Sequence, residues 1–96
     1  MALTEGIQLA KANQIRMILI FFPCKASLYQ RDVKRPGMAI LVEEFAQNLE
    51  VDFIDFWAIY RTRYLQSGQI YYWFNDSHIS DVGSRLAAQV LAETIR

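Results

Sequence analysis

The stretch "FNDSHIS", Phe74 to Ser80, holds the only histidine of a 96-residue chain, with an acid two residues before it. Asp76 and His78 are residue types that can move a proton together. The carboxylate accepts from one ring nitrogen and fixes the tautomer, and the other nitrogen can act as general base toward a hydroxyl. Asn75 could orient the ring in place of Asp76 but brings no charge to an imidazolium. The plain alternative is a polar residue and a capping acid that merely lead a helix, since acids are favoured there in any case. Cys24 follows an apolar run and a proline and has Lys25 beside it, so it is a second candidate nucleophile; free cysteines are more commonly small buried hydrophobes.

The charges that could surround such a site are few. Lys25, Arg31, Lys34 and Arg35 enclose one acid, Asp32, in a polar loop that could attract an anionic sugar or acyl substrate, or could simply be a solvated surface. Trp57, Tyr60, Tyr64, Tyr71, Tyr72 and Trp73 could form a carbohydrate-stacking surface, or could be core. Basic and acidic residues balance at 10 each, which removes the broad positive field of a nucleic-acid binder, so no nucleic-acid partner is expected. One cysteine can form neither an internal disulfide nor, by itself, a metal site. The longest apolar run, Met17 to Cys24, is far short of the ~20 residues that span a bilayer. The opening "MALTEGIQLAKANQIR" carries an early acid and no signal-peptide core, so neither a secretory leader nor a membrane span is expected and the compartment stays open.

The elements that must position these residues alternate along the chain. Leu3, Ile7 and Ala10 recur at helical spacing, with Asn13 placed to end the helix in the left-handed conformation. "IRMILIFFP" is an unbroken apolar run ended by Pro23, the pattern of a parallel strand covered on both faces. "CKASLYQRDVKRPG" reads as a loop. Met38, Leu41, Val42 and Phe45 predict a helix with that face buried. "VDFIDF" is a second strand, Trp57 to Leu65 a third helix that stops at Gly68, and "QIYYWF" either a strand or an extended segment. Val82, Leu86 and Val90, flanked by Ala87, Leu91 and Ile95, predict a last helix capped by Ser80 with Asp81 in its first turn.

This order is the grammar of an α/β fold built on a parallel sheet with right-handed crossovers, and sites in such sheets form at the carboxyl ends of strands. "PCK", "DFW" and "NDSH" should therefore gather at one edge. Arg16 to Phe22 and Val51 to Ile54 should be neighbouring parallel strands with the last helix on the same sheet. Two or three strands are few for the architecture, so one partial domain over residues 1–96 is expected, with an uncovered apolar face and consequent self-association.

Three segments also resemble a known family. "IRMILIFFPCKASLY" is similar to the strand-then-Pro-x-Lys-x-x-x-Tyr segment of the SGNH/GDSL hydrolase superfamily, in the branch of alginate O-acetyltransferase-like proteins, through Pro23, Lys25 and Tyr29. "VDFIDF" resembles the family's next strand. "IYYWFNDSHISDVGSRLAA" resembles its final block through Asp76, His78, Ile79, Ser80 and Gly83. The resemblance covers the carboxyl-terminal half of a three-layer α/β/α, flavodoxin-like domain. It implies a serine esterase or O-acyltransferase acting on acyl esters, acetyl foremost, with an acetylated carbohydrate among the implied substrates. In it His78 is the base and Asp76 its partner, with no metal or organic cofactor. No Gly-Asp-Ser segment, oxyanion-hole glycine or block asparagine is identified, so the nucleophile is expected upstream and the isolated chain idle. Ser27, Ser67, Ser77, Ser80 and Ser84 are expected to play no part in turnover. Failing this family, the chain is expected to be a non-catalytic α/β remnant or interaction module.

Overall fold

The computed structural model describes residues 2–30, 32–73 and 78–96. Helix α1 (Ala2–Ala12) leads into strand β1 (Ile18–Phe21), a single helical turn α2 (Ala26–Tyr29) and helix α3 (Gly37–Asn48). Strand β2 (Asp52–Asp55) runs directly into α4 (Phe56–Ser67), and α5 (Asp81–Ile95) closes the order. β1 and β2 pair in parallel with Ile18 opposite Asp52 and Phe21 opposite Asp55, as the two apolar runs predict. Among the described residues the sheet has two strands.

The two helix-to-strand joints are built alike. Each helix ends in a residue with positive φ, Gln14 (60°) after α1 and Glu50 (55°) after α3. In each, the next amide donates back five residues, Ile15 N–H to Ala10 at 2.8 Å and Val51 N–H to Ala46 at 2.9 Å. This is the closure that satisfies the orphan carbonyls of a helix end, usually with glycine in the left-handed position. The residue expected there after α1, Asn13, stays right-handed, and its side chain instead donates to the Leu9 carbonyl at 2.8 Å. Gly68, by contrast, ends α4 as predicted, with φ of 73°.

The core gathers Leu28, Ile54, Phe56, Tyr60, Tyr71, Tyr72 and Ala87, with Ile18, Leu86, Val90 and Leu91 packed against it. The last helix thus shares a core with both strands. Tyr60, Tyr71 and Tyr72 are buried there, which assigns them to packing and not to a carbohydrate platform. Tyr60 stacks on Tyr71 at 5.0 Å and meets Tyr72 edge-on.

Three further expectations fail. "CKASLYQRDVKRPG" is not all loop, because Ala26–Tyr29 form a helical turn held to α4: Trp57 Nε1 donates to the Ser27 carbonyl at 2.6 Å and Arg61 to the Leu28 carbonyl. β1 is not covered on both faces, as Ile20 is exposed. On α3 the buried residues are Ala39 and Ala46, whereas Met38 and Leu41, on the stripe expected to be buried, are about 60 % exposed. With Leu3, Leu19, Ile20, Val42 and Phe45 they line an open apolar groove instead. Small alanines let the other side of α3 approach the sheet closely, and no described element covers the larger side chains.

Candidate functional site

The carboxyl ends of the two strands lead to the site by different routes. β2 ends in Asp55, whose Oδ1 accepts from the Trp57 and Ala58 amides at 2.9 and 3.3 Å and so caps α4. Its Oδ2 accepts from Arg35 Nε at 2.8 Å, while the other guanidinium nitrogens meet Glu43 at 3.1 and 3.2 Å. Arg35 is therefore a strut between α3 and the start of α4, not a guidepost for an anionic substrate. β1 ends in Phe21, and the next residue, Phe22, stacks on Phe56 at 4.6 Å between ring centroids.

Beyond Phe22 the Pro-x-Lys-x-x-x-Tyr segment reaches the histidine. Three consecutive residues before the His78 turn are each held by one of its three matched positions. Tyr29 Oη accepts from the Tyr71 amide at 2.8 Å, the Tyr72 hydroxyl donates to the Pro23 carbonyl at 2.5 Å, and Lys25 Nζ donates to the Trp73 carbonyl. Burial is the main reason that the Tyr29 and Tyr72 hydroxyls are held protonated, that of Tyr72 with its pKa pushed up to about 12. Lys25 is thus a brace on the chain just before His78.

Residues 71–73 and 78–80 then pair as the two sides of a short hairpin. The Trp73 amide donates to the His78 carbonyl at 2.9 Å, the Ser80 amide to the Tyr71 carbonyl at 2.9 Å, and Tyr72 bridges Ile79 in antiparallel fashion. Ser80 caps α5 as expected, its Oγ accepting from the Gly83 amide at 3.2 Å. Gly83 lies against the hairpin: a Cβ there would sit 2.2 Å from the Tyr71 carbonyl oxygen. The Gly83 carbonyl in turn accepts from the buried Tyr60 hydroxyl at 2.9 Å. His78 is thus fixed at the backbone from both the strand side and the helix side. Asp76, the acid assigned to it, and Asn75, the alternative, lie outside the described residues.

The exposed His78 side chain lines an open cleft of about 520 Å³. Phe22 and Pro23 form one wall, and Tyr72 and Ile79 belong to the hairpin side. Helix α5 supplies the floor through Ser84, Ala87, Ala88 and Leu91. "PCK" and the histidine turn do meet at the strand ends, as the sheet grammar requires. Cys24, however, is exposed toward a separate depression with Lys25, Ala26 and Tyr29, so it does not share the His78 cleft.

The serines separate by their hydroxyl partners. Ser27 donates to the Cys24 carbonyl at 2.7 Å, Ser67 to the Arg63 carbonyl at 2.9 Å, and Ser80 is the cap; Ser77 lies outside the described residues. Ser84 alone of the described serines lines the cleft with His78. The sequence reading expected no part for it in turnover; its place six residues after His78, one turn into a helix capped by Ser80, is what brings it to the cleft. Among the described residues no group of three or more His, Cys, Asp or Glu side chains could hold a metal ion, and no helix is long and apolar enough to cross a membrane.

The brace predicts a measurable local effect. Tyr29→Phe removes the acceptor of an amide whose residue is only 5 % exposed, and a buried unpaired donor costs about 1–3 kcal/mol. Amide exchange at Tyr71 should accelerate by roughly ten- to a hundredfold, with a shift in the His78 ring signals, while β1 and β2 amides change little. Unchanged Tyr71 exchange would remove the brace from the account.

No protein family, curated protein or solved structure matches this chain at a significant level.

Proposed function

We propose that this chain contributes the acid/base side of an SGNH-type serine esterase or O-acyltransferase site, as the carboxyl-terminal part of a three-layer, flavodoxin-like domain. The observation that supports it best is the position of His78 at a cleft beyond the ends of parallel strands, with the residues just before it held by three of those that carry the resemblance, Pro23, Lys25 and Tyr29. In this reading a serine hydroxyl attacks the acyl carbonyl and gives its proton to His78. The tetrahedral intermediate collapses as His78 returns that proton to the leaving alkoxide. Water, or the hydroxyl of an acceptor, then repeats the exchange and frees the serine. Asp76 orients the ring and stabilises the imidazolium. The serine comes from a segment outside these 96 residues.

The reading frame upstream of Met1 tests this. An in-frame Gly-Asp-Ser segment is expected, and the extended protein should hydrolyse p-nitrophenyl acetate. His78→Ala should lower that turnover by orders of magnitude, as loss of a triad histidine does in subtilisin, about 10⁶-fold. The 96-residue chain alone should stay near the uncatalysed rate, with Ser84→Ala and Cys24→Ala unchanged. Turnover indifferent to His78→Ala, or the absence of any such upstream segment, would end the proposal.

A second reading, an interaction module, is favoured by the apolar groove between α1, β1 and α3. An exposed surface of this kind tends to be covered by another chain. It predicts a concentration-dependent increase in sedimentation coefficient, abolished by Leu41→Glu; a clean monomer throughout removes it.

A further inference from the structure

We propose that the uncovered stripe of α3 pairs with the same stripe of a second copy of this chain, the two helices running antiparallel about a two-fold axis near Leu41. This rests on the interaction-module reading and names its partner. The stripe is short and regular. Met38, Leu41 and Phe45 follow one another at spacings of three and four, which sets them on one line about 10 Å long. Met38 and Leu41 are about 60 % exposed, while α3 docks on the sheet through Ala39 and Ala46. A line of this length and spacing is what one further helix of the same pattern covers.

Charge selects that helix and its direction. The approach to α3 is basic, with Lys34 and Arg35, and its second half and exit are acidic, with Glu43, Glu44 and Glu50. Arg35 and Glu43 are already paired within the chain. Lys34, Glu44 and Glu50 are exposed and form no ion pair among the described residues. The helix macrodipole has the same sense, positive at the start and negative at the end. A surface with a basic end, an apolar middle and an acidic end complements a reversed copy of itself. Reversal sets Met38 against Phe45, Leu41 near its own counterpart, and each Lys34 at the acidic end of the other copy. A parallel pair would set like charges together. The chain carries no net charge, so no long-range repulsion opposes the approach of two copies. Because the contact maps one patch onto itself, it closes at two copies and does not grow into a fibre.

Sedimentation velocity over a concentration series of the 96-residue chain tests this. The chain should pass from monomer to dimer and no further, with association weakened by added salt. Lys34→Glu should weaken the dimer by roughly fivefold or more, and so should Glu44→Lys combined with Glu50→Lys, because each sets like charges together at both ends of the pair. Mixed in equal amounts, those two variants should form a heterodimer as tight as the native dimer. All three positions are exposed, so the fold should persist, and an unchanged circular dichroism spectrum checks that it does. A dimer abolished by Leu41→Glu but indifferent to both charge variants, or one that continues to larger species, overturns the antiparallel pairing and leaves the interaction-module reading standing. A monomer at every concentration overturns both, and the stripe is then a seam for the upstream segment that the acyl-transfer reading requires.

Discussion

Gly83→Ala is expected to destabilise the protein by about 2–3 kcal/mol and to lower its melting temperature by roughly 10–20 °C, although the change exchanges glycine for the best helix former. In an unobstructed helix the substitution would add about 1 kcal/mol of stability. Here the new methyl would lie 2.2 Å from the Tyr71 carbonyl oxygen and 2.7 Å from Ile79 Cγ1. The first is backbone held in the hairpin, so it cannot swing aside. The helix start must lift, which strains the Ser80-to-Tyr71 hydrogen bond and the bond from the buried Tyr60 hydroxyl to the Gly83 carbonyl. Gly6→Ala is the internal control. It lies inside α1 with nothing within 4 Å of the added carbon, so it should raise the melting temperature by several degrees. Thermal unfolding of the two variants side by side checks both signs. If Gly83→Ala were as stabilising as Gly6→Ala, the close packing of α5 on the hairpin would be wrong, and with it the placement of His78.

Alkaline unfolding should be equally pronounced. Burial, assisted by neighbouring tyrosines, pushes the hydroxyl of Tyr72 up to about 12 from an ordinary 10.0 and that of Tyr60 higher still. Both side chains are almost fully buried, Tyr60 at 0 % and Tyr72 at 7 % exposure. The folded state therefore holds protons that the unfolded chain releases. Their contribution is complete below pH 10, and it is lost as the pH rises through about 12, at about 1.4 kcal/mol per pH unit for each tyrosine. Two such groups together reach roughly 5 kcal/mol by the top of that window, which is comparable with the whole stability of a small domain. Far-UV circular dichroism should collapse in step with the rise of tyrosinate absorbance. A gradual tyrosine titration centred near the ordinary value, with secondary structure intact, would show that these rings are not buried as described. Tyr72→Phe should flatten the alkaline limb while costing about 1 kcal/mol at neutral pH, because the Pro23 carbonyl loses its partner.

Much of the fold could be read from the chain because the controlling interactions are local. Ser80 as cap, Gly68 as stop and the start of α5 each follow from residues within a few positions of one another, while the parallel pairing of the two short apolar runs followed from the helical connection between them and not from neighbouring residues. The gathering of Pro23 and His78 followed from topology, since strand ends in a parallel sheet share one edge. Only the tertiary structure decided what each exposed group was for. Local pattern marked Met38 and Leu41 as a buried stripe, but burial needs a partner, and α3 docks through Ala39 and Ala46 instead. Gln14 and Glu50 take left-handed turns that propensity would assign to Asn or Gly, because the close succession of helix and strand demands them. Arg35 looks like part of a basic rim until the carboxylates of Asp55 and Glu43, 20 and 8 residues away, are found beside it. Ser84 looks like any helix serine until His78 is placed in its cleft. A side chain's partners at such separations are set by how the elements pack, and no spacing along the chain records that.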